Sequence, residues 1–295
     1  MNRGIIFALS AYVFWGVHPV YWKLLQRVPS GEIVAHRIVW SFIFFIVIVA
    51  LRKEGEGLIK KIRTNRNKAL FFIPAFLIGS NWVVYIWAVN AGYIIEASLG
   101  YFISPLISVL LGVVFLKERL RILHWLAVLV AGVGVIVMTF FYGHFPWISL
   151  YLAGTWATYG LFRKKSPLNP VEGLTLETAV LSIPAVTYLL YLVMAGTGSF
   201  VIDPSASLLL IGGGIISGLP LIIFIAGARL IPLSLIGILQ YIYPTLIFII
   251  GYFVYHEPLT EGKILGFVFI WIAIVLYYTV DRLFYKRRRV DTAVG

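Results

Sequence analysis

Ten apolar stretches, each close to the length that crosses a bilayer, take up nearly all of this chain. They run at roughly 4–25, 31–51, 69–89, 93–116, 122–141, 145–162, 171–194, 207–228, 232–254 and 263–284. Turn and charge signals separate them: Pro29-Ser30-Gly31, the basic run 52–68, Asn90-Ala91-Gly92, Lys117-Glu118-Arg119, Gly143-His144, Arg163-Lys164-Lys165, Gly196-Thr197-Gly198 and His256-Glu257-Pro258. With 61% hydrophobic and 12% charged residues, the chain departs from soluble domains in the direction of lipid. Ten spans in 295 residues leave no room for an independent soluble catalytic domain. The first stretch continues through Trp15, Pro19 and Trp22 without a small-x-small cleavage site, so it reads as a retained helix. The weakest stretch, 145–162, holds Gly154, Thr155, Thr158 and Gly160, which suits a helix packed in the interior.

Charge placement orients the helices. If the N-terminus is cytoplasmic, twenty of the 24 Lys and Arg residues fall in inside segments, above all 52–68, 117–121, 163–165 and 282–289. Only Lys23, Arg27 and Lys263 fall outside, and Arg37 lies within a span. That asymmetry places both termini in the cytoplasm and requires an even number of spans. The net charge of +12 therefore belongs to membrane orientation, not to nucleic-acid binding. The absence of cysteine removes disulfides and thiolate chemistry. No Gly-x-x-x-x-Gly-Lys-Ser/Thr loop, His-Glu-x-x-His motif or Thr-Val-Gly-Tyr-Gly filter occurs, so neither cofactor nor metal is expected.

The chain repeats itself. At a shift of 139, Pro105 meets Pro244, Gly112 meets Gly251, Glu118 meets Glu257 and Leu120 meets Leu259; at a shift of 144, Trp15-Gly16 meets Tyr159-Gly160. Each half holds five spans, and an odd number makes the second half enter the membrane from the opposite side. The expected fold is an all-α integral membrane protein of ten transmembrane helices, arranged as two inverted five-helix repeats around a central cavity. The halves are 1–141 and 142–285, with a basic tail at 286–295.

The words Ala11-Tyr12, Trp15-Gly16, Pro19, Tyr21-Trp22-Lys23, Glu32 and Ala35-His36-Arg37-Ile38-Val39-Trp40-Ser41 resemble the RarD branch of the EamA, drug/metabolite transporter superfamily. So do Asn81-Trp82, Ala97 to Ile103, Tyr159-Gly160-Leu161, Leu176-Glu177-Thr178 and Leu239 to Thr245. The resemblance spans residues 4 to about 280. One departure is Ser104, where the family pattern leads us to expect Asn before the proline. The resemblance implies two EamA repeats in a bacterial inner membrane and passage of a metabolite or drug-like molecule. Fold kinship does not choose the solute.

Ionisable groups inside a span are functional by default. Glu32, His36 and Arg37 are expected as gating or proton-coupling groups at the outer half of the second helix, with Glu177 as a further proton carrier. Each has the alternative reading of an ion cluster that fixes helices. His18 precedes Pro19, whose missing N–H frees a carbonyl best placed beside a wet pathway. Tyr101 and Ser104 beside Pro105, and Gln240 and Tyr243 beside Pro244, occupy proline-interrupted helices at matching positions, the best sequence pointer to a transporter site. Asn81 and Tyr85 on the third helix and the flat wall of Trp15 complete the expected substrate site. Glu118 and Glu257 read as helix-terminal caps or ion pairs.

The function expected is a secondary transporter or facilitator working by alternating access, not an enzyme. The alternative is a lipid-handling protein or a membrane-embedded enzyme. The partners expected are a small-molecule substrate and the lipid bilayer, with a monomer or weak homodimer as the assembly.

Overall fold

A computed structural model describes residues 3–91, 93–142, 145–202, 204–254 and 261–291; His144 and Glu257 lie outside them. The described residues form thirteen helices and no strand. These are α1 (Arg3–Lys23), α2 (Ser30–Leu51), α3 (Gly55–Thr64), α4 (Ala69–Asn90), α5 (Ile94–Leu116), α6 (Ile122–Tyr142), α7 (Trp147–Lys165), α8 (Pro170–Met194), α9 (Ser199–Ile202), α10 (Pro204–Leu230), α11 (Leu233–Gln240), α12 (Ile242–Phe253) and α13 (Glu261–Asp291). Nine of the ten apolar stretches become single helices, the last running on to Asp291, because in lipid the backbone has to satisfy its own hydrogen bonds.

Three details differ from the sequence pattern. The basic run 52–68, expected only as a break, contains α3, with Glu56 in its first turn and Lys61 and Arg63 in its last, as the helix dipole favours. It meets α4 at 108°. The ninth stretch is not one helix: it stops at Gln240 and restarts at Ile242. Pro244 has no N–H to return to the Gln240 carbonyl, so the ladder lapses where the repeat places its proline. The third is the short α9, in the segment between the seventh and eighth apolar stretches.

Among the described residues, six helices are long and apolar enough to cross a membrane by themselves, or seven if the bent pair α3 and α4 counts as one span. Large apolar side chains such as Phe76, Ile122, Phe140, Ile183 and Met194 point outward, a surface suited to lipid and hazardous in water. Inside, one cluster gathers Tyr12, Phe45, Tyr159, Leu174 and Phe224; another joins Phe102, Tyr241, Phe267 and Ile270.

Helix packing has a symmetric pattern. α2 packs on α8, α6 on α13 and α5 on α11. α1 packs on α10 as α4 packs on α7, and α5 packs on α7 as α12 packs on α1. Glycine permits close crossings: a Cβ at Gly237 of α11 would sit 2.6 Å from the Pro105 carbonyl oxygen of α5.

Candidate functional site

Arg37 is the eighth residue of α2, about 10 Å along its axis at 1.5 Å per residue. Its guanidinium carbon lies 3.9 Å from the centroid of the Trp82 ring on α4, a cation–π contact. Its charge is within electrostatic reach of Tyr85 on α4, Tyr101 on α5 and Tyr243 on α12. The Tyr101 ring meets Tyr243 edge to face at 4.9 Å and Tyr85 at 6.0 Å, and its hydroxyl lies beside both of theirs. The buried Arg37 Nε has no hydrogen-bond partner. Among the described residues no carboxylate pairs with Arg37.

Two further polar groups are buried without partners, Ser104 Oγ on α5 and Gln240 Oε1 at the end of α11. The packing of α11 on α5 brings their helices together. Gly237 lies on Pro105 and Ser108, and the Tyr241 hydroxyl donates to the Phe102 carbonyl at 3.2 Å. Gln240 stands between those two contacts in sequence, and Ser104 stands between Phe102 and Pro105. An unpartnered buried hydroxyl and amide oxygen are uncommon enough to need a reason. α5 runs unbroken through Pro105, contrary to the expectation of two interrupted helices, and only the α11–α12 chain is broken. Water or a solute is the natural partner beside that break.

The remaining expected residues divide by position. Trp15 lies in an aromatic stack, 5.3 Å from Trp156 and 5.4 Å from Phe224. Asn81 is spent on helix packing, donating to the Leu152 carbonyl at 2.9 Å and the Thr155 hydroxyl at 2.8 Å on α7. His18 Nε2 is 3.1 Å from the Ile216 carbonyl. Pro220, four residues further along α10, leaves that carbonyl without its helical donor, so the imidazole N–H replaces the missing bond. Glu32 accepts from the Ser199 and Phe200 N–H groups at 2.7 and 3.1 Å, fixing the start of α9. His36 stacks on the Phe200 ring at 4.5 Å, and its Nε2 is 4.0 Å from Glu32. Glu32 and His36 thus face α9, whereas Arg37 faces the tyrosines.

Glu177 is in a different setting. One oxygen lies 3.3 Å from Arg163 Nη1, and the other accepts from the Tyr159 hydroxyl at 3.0 Å, with all three side chains buried. Gly173 makes room for the guanidinium, since a Cβ there would collide with it. Around this pair the loops interlock. Lys61 pairs with Glu172 at 2.7 Å, Arg229 donates to the Leu168 carbonyl at 2.7 Å, and Lys164 donates to the Ala228 and Ile231 carbonyls at the end of α10. Glu118 caps the start of α11, accepting from the Leu233 and Ser234 N–H groups at 2.6 and 2.9 Å. It is a cap for a neighbouring helix, not for its own. In the sequence Arg163 stands in a basic run at the end of the sixth stretch, with no site role expected of it. The usable signal was its spacing of four from Tyr159, which sets both on one face of α7.

A model of the EamA-like transporter family matches this chain twice, over residues 2–140 and 146–279. The chain belongs to that family. It is 43% identical to the uncharacterized transporter YojE of Bacillus subtilis, covering 97% of this chain and 96% of the relative. It is 40% identical to protein RarD of Escherichia coli, covering 97% of each. A chloramphenicol-sensitive protein RarD of Pseudomonas aeruginosa is 33% identical over 93% of each chain. These relatives set the chain in the RarD branch, among membrane transporters. A solved crystal structure, 19% identical, superposes with a TM-score of 0.71 over 95% of this chain and 98% of its own, a likeness of fold.

Proposed function

We propose that this EamA protein is a secondary carrier or facilitator of a small organic solute, with its site among Arg37, Tyr85, Tyr101, Ser104, Gln240 and Tyr243. The ten apolar segments act as two inverted repeats, 1–141 and 142–285, and rocking of one against the other exposes the site to each side in turn. One observation carries this reading. Equivalent positions of two repeats can touch only near the axis that relates them, and the Tyr241 hydroxyl bonds to Phe102, its mate at the 139-residue shift. The helix pairing supports it too, since each of the pairings described above maps onto another, or onto itself, when the halves are exchanged. The family model also falls on each half separately.

With the N-terminus cytoplasmic in an inner membrane, the interlocked ring of Lys61, Glu172, Lys164 and Arg229 is the closed cytoplasmic gate. Cysteines placed at exposed Thr197 and Lys60 test this orientation. An impermeant thiol reagent on intact cells is expected to label only the first; labelling of the second alone reverses the topology. Transport itself is tested in liposomes of the purified protein, screening solutes with and without a pH gradient. Ser104→Trp is expected to insert, fold and block movement by filling the site. A Ser104→Trp protein that transports normally removes the site from this place.

A further inference from the structure

We propose that Arg37 anchors an anionic group of the solute, a carboxylate, sulfonate or phosphate carried on an apolar or aromatic body. The proposal rests on the central-site reading above and names the class of molecule that site takes. Its first ground is the missing countercharge. A guanidinium in a buried setting needs an opposite charge or a full set of acceptors. Arg37 has an unpartnered Nε, the face of Trp82 and neutral phenols around it, and among the described residues no carboxylate. The nearest carboxylate in sequence, Glu32, holds the N–H groups of Ser199 and Phe200 through Oε1, and its Oε2 forms no hydrogen bond, to Arg37 or to any other group.

The second ground is the chemistry of the surrounding groups. A guanidinium fork binds an oxyanion through two parallel N–H bonds. A phenol hydroxyl can accept from the guanidinium and donate to an anion, so Tyr85, Tyr101 and Tyr243 would add donors around the same oxygens. The Trp82, Tyr101 and Tyr243 rings offer flat walls to the body of the molecule. Ser104 Oγ and Gln240 Oε1 are left to meet a further polar substituent. A neutral solute would leave the cation uncompensated, and a cationic one would add repulsion.

The test uses matched pairs that differ only in charge: benzoate and benzamide, indole-3-acetate and indole-3-acetamide, with benzylamine as the cation. Binding to the full chain in detergent is read by intrinsic tryptophan fluorescence and by the shift in melting temperature. At least one anion is expected to bind tenfold or more tightly than its amide. Arg37→Gln is expected to bring that ratio below about twofold, and Arg37→Lys, which keeps charge but loses the fork, to leave an intermediate ratio. The wild-type pairs and the Lys variant answer the question even if the Gln variant fails to accumulate. Binding of amides or benzylamine alone, binding of no anion, or an anion preference that survives Arg37→Gln overturns the proposal.

Repeating the measurement in phosphatidylcholine vesicles with and without phosphatidylglycerol separates solute from lipid headgroup. Loss of the preference when the anionic lipid is present assigns Arg37 to the headgroup and overturns the solute reading. Ser104→Trp separates this failure from that of the site. If neutral ligands bind and Ser104→Trp abolishes their binding, the site stands without the anion. If ligands bind and Ser104→Trp changes nothing, the site itself falls.

Discussion

Arg37 and Glu177 each stand eighth in their helices, α2 and α8, which pack directly on one another. They hold the same position in two packed helices, and they meet opposite fates. The Glu177 charge is closed off within the chain by Arg163 and Tyr159. The Arg37 charge is left among aromatic rings with no anion paired to it among the described residues. The difference separates a charge that holds the fold from a charge held ready for something else. A paired buried ion is costly to break and easy to replace as a unit, whereas an unpaired one is a cost the fold carries for function.

The largest expected effect breaks the first of these. Glu177→Leu or Arg163→Met alone is expected to cost about 3–5 kcal/mol, because each leaves a buried charge without its partner. The double variant is expected to recover most of that loss. Thermal melts and yield of folded protein measure both. A double variant as unstable as either single one would mean that the pair does more than neutralise itself. The control is Arg37→Gln, expected to leave stability within about 1 kcal/mol, since no partner is stranded, while removing anion preference. A loss as large as that at Glu177 would make Arg37 structural and erase the contrast.

Two smaller effects sharpen the same contrast at the centre. Gln240→Ala is expected to weaken solute binding by about 1–3 kcal/mol with little change in melting temperature, as its amide carbonyl spends no hydrogen bond on the fold. His18→Leu is expected to do the reverse. It strands the Ile216 carbonyl and costs roughly 1–3 kcal/mol of stability, while His18→Gln, which retains a donor, recovers part. If His18→Gln also abolishes acceleration of transport by a pH gradient, His18 carries the proton as well as the bond. Unchanged acceleration confines it to the bond.

Much of this arrangement was legible in the chain. Apolar length placed the helices, because lipid tolerates few other structures. The prolines at 105 and 244 pointed to two interrupted helices; α11 does stop at Gln240, but α5 continues through Pro105 to Leu116. Partner choice was not legible. Glu32, His36 and Arg37 lie within six residues, and sequence read them as one cluster. A helix turns 100° per residue, and the step from 32 to 37 carries Arg37 to another face, away from α9. Asn81 read as a site group, yet its amide is taken by Thr155, more than seventy residues away in sequence. Glu118 read as an end signal for its own helix, yet it caps α11. Long-range pairings of this kind leave no periodic trace. The basic run before α4 concealed α3 for another reason: its single buried apolar residue, Leu58, is too little to show as an apolar stretch.

The smallest expected effect concerns Lys61, the exposed member of a second ion pair near the start of α8. Its side chain is 44% exposed and that of Glu172 only 2%. Glu172 also belongs to the cap of α8, where its carboxylate accepts from the Asn169 N–H at 2.8 Å and its own N–H donates to the Asn169 side chain at 2.9 Å. When Lys61→Ala removes the cation, the cap remains and water reaches the side that Lys61 covered. The expected cost is therefore about 0.2–1 kcal/mol, the range of exposed pairs, and it should shrink further in high salt as screening takes over. Melting at low and high ionic strength measures it. The functional consequence is expected to exceed the thermal one if the proposed alternating access holds, because Lys61 ties α3 to α8 across the end that would then open. Solute release on that side is expected to quicken in Lys61→Ala. A loss of stability near that of Glu177→Leu would show that Glu172 is as dependent on its cation as the deeper pair. The depth of a charge would then not decide its role, and only the completeness of its partners would.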